Sequence, residues 1–344
     1  MTVRDRLLAL LVAAVWGLNF PATHLALEQF PPFLLVAVRF ALIAVPVLLF
    51  VPRPNVPWKW LIGYGLGFGV AQFAFLYTGM AAGMPSGLAS LVLQSSAPFT
   101  VLLGAVLLRE RISRRQLIGV SVAVAAMVAI GALRAQSAAL LPVVLTVLGG
   151  LGWAFGNLAN REAHTDQPFA LMLWMSVIPP LPMLGLSLAV DGPARDAEAF
   201  RTVFTTAAIP ALIGLAYIVL VATLLGSGLW TWLLSHHPSG QVAPFSMAVP
   251  VAGFLGSWLV LGERPDPAEL ALGGVVVVAV VWGMTPRRRR PSDVERDAVV
   301  GHPAVDGEQP VDHVLLRDLR IGGDRLDRVE VDQVRDRRVG VERP

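Results

Sequence analysis

Ten runs of apolar residues, each long enough to form one membrane span, follow one another along the chain, separated by short breaks rich in Pro, Gly and charge. They cover roughly residues 6–26, 33–52, 58–79, 85–108, 115–133, 139–160, 168–190, 205–232, 238–261 and 268–285. A helix needs about 20 apolar residues to cross ~30 Å of hydrocarbon at ~1.5 Å per residue. The runs are continuous and do not alternate, which predicts helices and not barrel strands. The pattern therefore predicts an all-α integral membrane fold with ten transmembrane helices.

The fourth and ninth runs share one layout. Pro85-Ser86-Gly87 opens the fourth, which closes on Leu108 before Arg109-Glu110-Arg111; Pro238-Ser239-Gly240 opens the ninth, which closes on Leu261 before Glu263-Arg264. Pro85 and Pro238, and likewise Glu110 and Glu263, are offset by 153 residues. Prolines break both runs midway, Pro98 and Pro250, one residue out of register. A repeat of this length marks two related halves rather than a solenoid. The expected organisation is a five-helix repeat at 1–136, a second at 137–286, and a tail at 287–344. Five spans is an odd number, so the halves enter the bilayer in opposite directions, as transporters with inverted repeats do. The bland alternative is gene duplication within a scaffold.

Composition agrees with this reading. Of 344 residues, 55% are hydrophobic and only 15% charged, against about 25% charged in soluble domains. Mean hydropathy is +0.64 even with a polar tail included. There is no cysteine, which excludes disulfides and thiolate metal sites. The first 30 residues carry no cleavage signature and read as a retained helix. Cations orient the bundle. With a cytoplasmic N-terminus, Arg4, Arg6, Arg53, Lys59, Arg109, Arg111, Arg114, Arg115, Arg161 and Arg287 to Arg290 fall inside, while Arg134, Arg195, Arg201 and Arg264 fall outside. That is a positive-inside bias with both termini cytoplasmic. Beyond Thr285, Arg287 to Arg290 suit anionic headgroups, and 291–344 lack any aromatic or lysine, the composition of a disordered tail.

Polar and aromatic side chains within the spans are the candidate site. Trp16, Asn19, Phe20 and Thr23 share one helical face, and Pro21 frees the carbonyl of Gly17. Trp153, Asn157 and Asn160 repeat the theme in the sixth span. Both faces are read as lining a central pathway, the alternative being polar glue between helices. Arg39 lies inside the second span, where a charge costs at least ~2.5 kcal/mol. It can hold a substrate carboxylate, snorkel outward or pair with Glu28. Gln72, Tyr77, Gln94, Trp174, Tyr217 and Gln241 complete a mostly neutral, partly aromatic set that suits a zwitterionic or amphipathic solute. Each taken alone is more often a helix contact. Glycines at 63, 65, 67 and 69, and at 152 and 156, have the spacing that lets helices approach closely.

Other chemistry is poorly supported. No nucleotide-binding glycine loop appears, and Gly185 to Ala189 is one glycine short of a nucleophile elbow. His236-His237 lacks a third ligand nearby and reads as a solvated turn, so no cofactor or metal is expected. No carboxylate lies mid-span to carry protons, leaving coupling open. Glu110 and Glu263 end helices whose dipoles oppose them, so adjacent arginines (109, 111 and 114 for the first, 264 for the second) are the expected offset. They read as boundary anchors, with gating as the sharper alternative.

Trp16-Gly17-Leu18-Asn19-Phe20, Arg39-Phe40, Gln94 to Pro98, Leu107 to Glu110, Gln116, Gly119, Trp153-Ala154, Pro250 and Leu261-Gly262-Glu263 together resemble the drug/metabolite transporter superfamily, in its ten-helix branch built from two EamA-type halves. The likeness covers roughly residues 5 to 285. It implies export or exchange of small metabolites, often amino acids and their derivatives, across the bacterial inner membrane. The partners expected are a small-molecule substrate and the lipid bilayer, with no nucleic acid; a homodimer stays open. A membrane-embedded enzyme and a non-transporting scaffold are the competing readings.

Overall fold

The computed structural model describes residues 1–110, 112–135, 140–237 and 239–284. The expected tail at 287–344, with its arginine run, lies outside the described residues, as do Arg111 and Pro238. Among the described residues all regular structure is helical. The elements are α1 (Val3–Leu27), α2 (Pro32–Phe50), α3 (Trp58–Ala81), α4 (Ser86–Leu107), α5 (Arg114–Ala135), α6 (Leu140–Glu162), α7 (Pro168–Asp191), α8 (Pro193–Thr202), α9 (Thr206–His236), α10 (239–261) and α11 (Pro267–Met284). Ten of them coincide with the ten apolar runs. Large side chains such as Phe50 and Leu181, 80% and 79% exposed, stand out from the bundle where lipid would cover them. This is a multi-pass membrane protein.

The eleventh element, α8, is a short helix that hydropathy alone passes over. Its start is locally specified: Gly192 takes φ +92°, Pro193 occupies the first helical position, and Asp196 sits in the first turn. Ser187 donates to Asp196 at 2.8 Å and to Asp191 at 3.2 Å, while Asp191 accepts from the N–H of Phe33 at 3.2 Å. The end of α7 thereby caps α2, whose own entry, Pro31-Pro32, offers no capping side chain. Thr2 and Asp5 form a reciprocal capping box at the start of α1.

Several spans depart from α geometry, and besides the π stretch Ser187–Asp191 that ends α7, four of the departures fall in matched pairs. In α3, residues Gly65–Gln72 form π turns; in α9, Tyr217–Gly226 do the same. Residues 218–225, within the second stretch, lie 153 positions after 65–72. In α4 a 3₁₀ turn, Leu93–Ser95, precedes Pro98; in α10 a 3₁₀ stretch, Ala243–Ala248, precedes Pro250. Both breaks fall where the following proline has no N–H to give.

Close approach of backbones holds the bundle together. Gly67 lies against Gly152 and Gly156, and Gly152 against Gln72, so the π stretch of α3 packs directly on α6. Gly119 meets Ala279 and Gly283 in the same manner, joining α5 to α11. Between helices in lipid, such van der Waals contact is the main attraction available. Gly17 packs against Ala252 and Gly253 of α10, and its carbonyl, released by Pro21, faces Gly253.

The ends of α4 and α10 are also built alike. Arg109 has φ +56° and Gly262, its match at the same offset, φ +69°. The N–H of Glu110 reaches back to the carbonyl of Gly104, and that of Glu263 to Ser257, both at 3.3 Å. A left-handed residue at a helix terminus is easy for glycine and costs an L side chain about 1 kcal/mol. Arg109→Gly is therefore expected to raise stability by up to about 1 kcal/mol, read as a higher melting temperature in detergent.

Candidate functional site

Arg39 is the centre of the polar interior. It is 5% exposed, so it neither snorkels outward nor meets Glu28. Its Nη1 donates to Tyr77 Oη at 2.6 Å and its Nη2 to Thr223 Oγ1 at 3.0 Å. The guanidinium lies 4.1 Å from the ring centroid of Phe73 and 5.2 Å from that of Phe40. Its Nε has no partner, and among the described residues no carboxylate pairs with it. A buried cation compensated only by hydroxyls and ring faces is costly. The positive charge is accommodated here but not neutralised.

The π turns of α9 connect this group to α1. Thr223 donates to the carbonyl of Ile218, five residues back, at 2.8 Å while accepting from Arg39. The neighbouring carbonyl, Ala222, accepts from Trp16 Nε1 at 3.1 Å. Tyr217 donates to the carbonyl of Val15 at 2.9 Å. Adjacent residues of one distorted turn thus hold Arg39 on one side and Trp16 on the other. Such π distortions recur at functional sites because they free backbone groups and re-aim side chains.

From Phe73 an aromatic chain leads to α6. Phe73 meets Phe68 at 5.6 Å, and Phe68 meets Trp153 at 6.0 Å, both edge to face. Gln72 is buried, with Oε1 unpartnered, and Asn19 Oδ1 is likewise buried and unpartnered. Gln94, 6% exposed, directs Nε2 to Met247 Sδ at 3.6 Å. Asn157 Nδ2 donates to Thr100 Oγ1 at 3.2 Å, tying α6 to α4 as polar glue does. Asn160 is exposed.

Two of the expected residues lie apart. Trp174 gives its indole N–H to the carbonyl of Val51, at the end of α2, at 3.0 Å. Gln241 is exposed and accepts from the amino-terminal nitrogen of Met1 at 3.4 Å. Neither bonds to any other candidate. Sequence reasoning also missed partners. His237 Nε2 lies 3.0 Å from Asp5 Oδ2, so the histidine pair is not simply a solvated turn. Glu110 pairs with Arg161 of α6 at 3.0 Å, and among the described residues neither Arg109 nor Arg114 pairs with it. Glu263 accepts from the N–H groups of Ser86 and Gly87 at 3.0 and 3.1 Å, at the start of α4, and not from Arg264. A carboxylate misplaced on its own helix is thereby well placed on another. No grouping of three or more His, Asp or Glu side chains suited to a metal occurs among the described residues.

Comparison with known proteins bears on this arrangement. A probable amino-acid metabolite efflux pump of Salmonella typhimurium is 40% identical over 288 residues, 82% of this chain and 95% of the relative. A protein of the same description from Escherichia coli K12 is 39% identical, with the same coverage. A probable terminal-alkyne amino-acid exporter of Streptantibioticus cattleyicolor is 26% identical, covering 81% of this chain and 94% of its own. A solved crystal structure superposes with a TM-score of 0.50 over 83% of this chain and 97% of that one, at 18% identity, a likeness of fold alone. The EamA-like transporter family matches twice, over residues 6–132 and 140–285. With matches extending over nearly all of the membrane-spanning region, the chain belongs to the EamA-like transporter family.

Proposed function

We propose that this protein exports or exchanges a small amino-acid-like or amphipathic metabolite across the inner membrane by alternating access. Both termini are cytoplasmic in this reading, and two oppositely inserted halves, 1–136 and 137–286, rock about the polar interior. The observation that carries it is Arg39: a buried, unpaired cation among Tyr77, Thr223 and Phe73 is what a carboxylate-bearing solute with an apolar body requires. The names of the relatives favour amino-acid chemistry. The doubled family match and the paired π and 3₁₀ departures favour repeated halves. Trp16, Asn19, Gln72, Gln94, Trp153, Asn157 and Tyr217 form the remaining lining in this reading, and Trp174 and Gln241, which lie apart, are left out of it.

The test is transport by purified protein in proteoliposomes loaded with radiolabelled zwitterionic amino acids. Efflux above that of protein-free vesicles is expected, with competition by apolar amino acids and none by their amides. Efflux indifferent to the carboxylate would overturn the assignment to Arg39. A tolerance screen in cells overproducing the protein narrows the substrate.

A further inference from the structure

The two conserved-offset glutamates are in different states, and the difference has a direction. Glu263 holds the first two N–H groups of α4, Ser86 and Gly87, with one oxygen each. Those N–H groups have no partner within their own helix and carry the positive end of its dipole. At that end α4 and α10 are packed together: Gly87 lies on Phe254, and the hydroxyl of Ser90 lies on Gly253.

At the other end the same two helices diverge. Ser96–Leu107 packs chiefly on α6, while Ala243–Ala248 packs chiefly on α1. Leu107 and Val106 are 56% and 74% exposed, and Glu110 turns outward to Arg161. Yet the backbone presenting Glu110 is the same left-handed terminus that presents Glu263. Between the two ends, Gln94 touches Met247, its own match 153 residues away. In a molecule with a two-fold relation, a residue that touches its own match lies on the axis. Both helices change to 3₁₀ turns at this level.

We propose that Glu110 and Glu263 are alternating clamps. Glu263 closes one mouth by holding the start of α4, as observed. Glu110 closes the other by leaving Arg161 and taking the backbone N–H groups at 239–240, while Glu263 lets go. The crossing at Gln94 and Met247 is the pivot. Each clamp supplies about two charge-assisted hydrogen bonds, so weakening a clamp by the equivalent of one of them shifts the balance of states by about 10- to 100-fold. This rests on the alternating-access reading above, and makes the two carboxylates the residues that set its two end states.

The chain has no cysteine, so introduced pairs can be spin-labelled directly. Ala82→Cys with Arg264→Cys reports on the Glu263 end, and Leu107→Cys with His236→Cys on the Glu110 end. In lipid, two distance populations are expected for each pair. Glu263→Gln should enrich the long Ala82–Arg264 and the short Leu107–His236 distances. Glu110→Gln should do the reverse, and both variants should slow efflux. The Glu110 side chain is 51% exposed, so its substitution does not threaten folding even if that of Glu263 does. Two populations that Glu110→Gln leaves unmoved, or moves the same way as Glu263→Gln, would overturn the clamp and leave rocking intact. Single fixed distances at both ends in a protein that still transports would overturn rocking and clamp together.

Discussion

Arg39→Gln is expected to lower kcat/KM for export of a carboxylate-bearing substrate by about 10- to 100-fold. The reasoning is local. The guanidinium is 5% exposed, with two hydroxyl partners, two ring faces and no counter-charge among the described residues. A hydrogen bond to a charged group contributes about 1.5–3 kcal/mol when its partner arrives, which corresponds to that range of rates. Arg39→Lys keeps the charge but cannot serve Tyr77, Thr223 and a carboxylate at once, so it should fold and transport weakly. Removing a buried unpaired cation also relieves desolvation, so Arg39→Gln should melt no lower than the parent. A merely structural arginine would give the opposite pair of results: a lower melting temperature and unchanged export kinetics in whatever protein remains folded.

The second large effect concerns packing. A methyl group at Gly67 would lie 2.5 Å from the Gly156 nitrogen and 3.0 Å from the Gly152 carbonyl oxygen. Both are backbone atoms and cannot swing aside, so α3 and α6 must separate. Overpacking of this kind costs about 1–3 kcal/mol, and a Val at the same position more. Gly67→Val is expected to leave little folded protein on size-exclusion after detergent extraction, and Gly67→Ala to lower the melting temperature by several degrees. Gly185→Ala is the control: nothing lies within 4 Å of its added methyl, and stability should be unchanged or slightly higher. Equal behaviour of Gly67→Ala and Gly185→Ala would show that close contact at Gly67 does not matter.

Much of the architecture was legible because lipid imposes a coarse rule. A backbone in hydrocarbon must bond to itself, so an apolar run of span length has essentially one outcome: all ten runs became helices, eight of them long and apolar enough to cross a membrane and two, Phe245–Leu261 and Pro267–Gly283, shorter. The helix α8 was missed, because the apolar pattern passes over it; the signal that marks its start is Gly192, Pro193 and Asp196. The site was read less evenly. Arg39 and Tyr77 were identifiable as polar atoms in the wrong solvent, and the structure joins them. Trp174 and Gln241 were chosen by the same criterion, yet their partners are Val51 and Met1. Residue type shows that a polar group needs a partner, not which helix supplies it.

The sequence by itself determined the spans, their breaks at Pro98 and Pro250, the offset that pairs Glu110 with Glu263, and the cost of placing Arg39 in the bilayer. Each follows from solvent and local backbone chemistry. Only the tertiary structure decided that Glu263 serves α4, that Glu110 turns to Arg161, and that one π turn of α9 holds both Arg39 and Trp16. Those pairings join residues 51 to 206 positions apart. They depend on which helix faces which, and that is set by shape complementarity at glycine contacts, a property no single stretch of the chain contains.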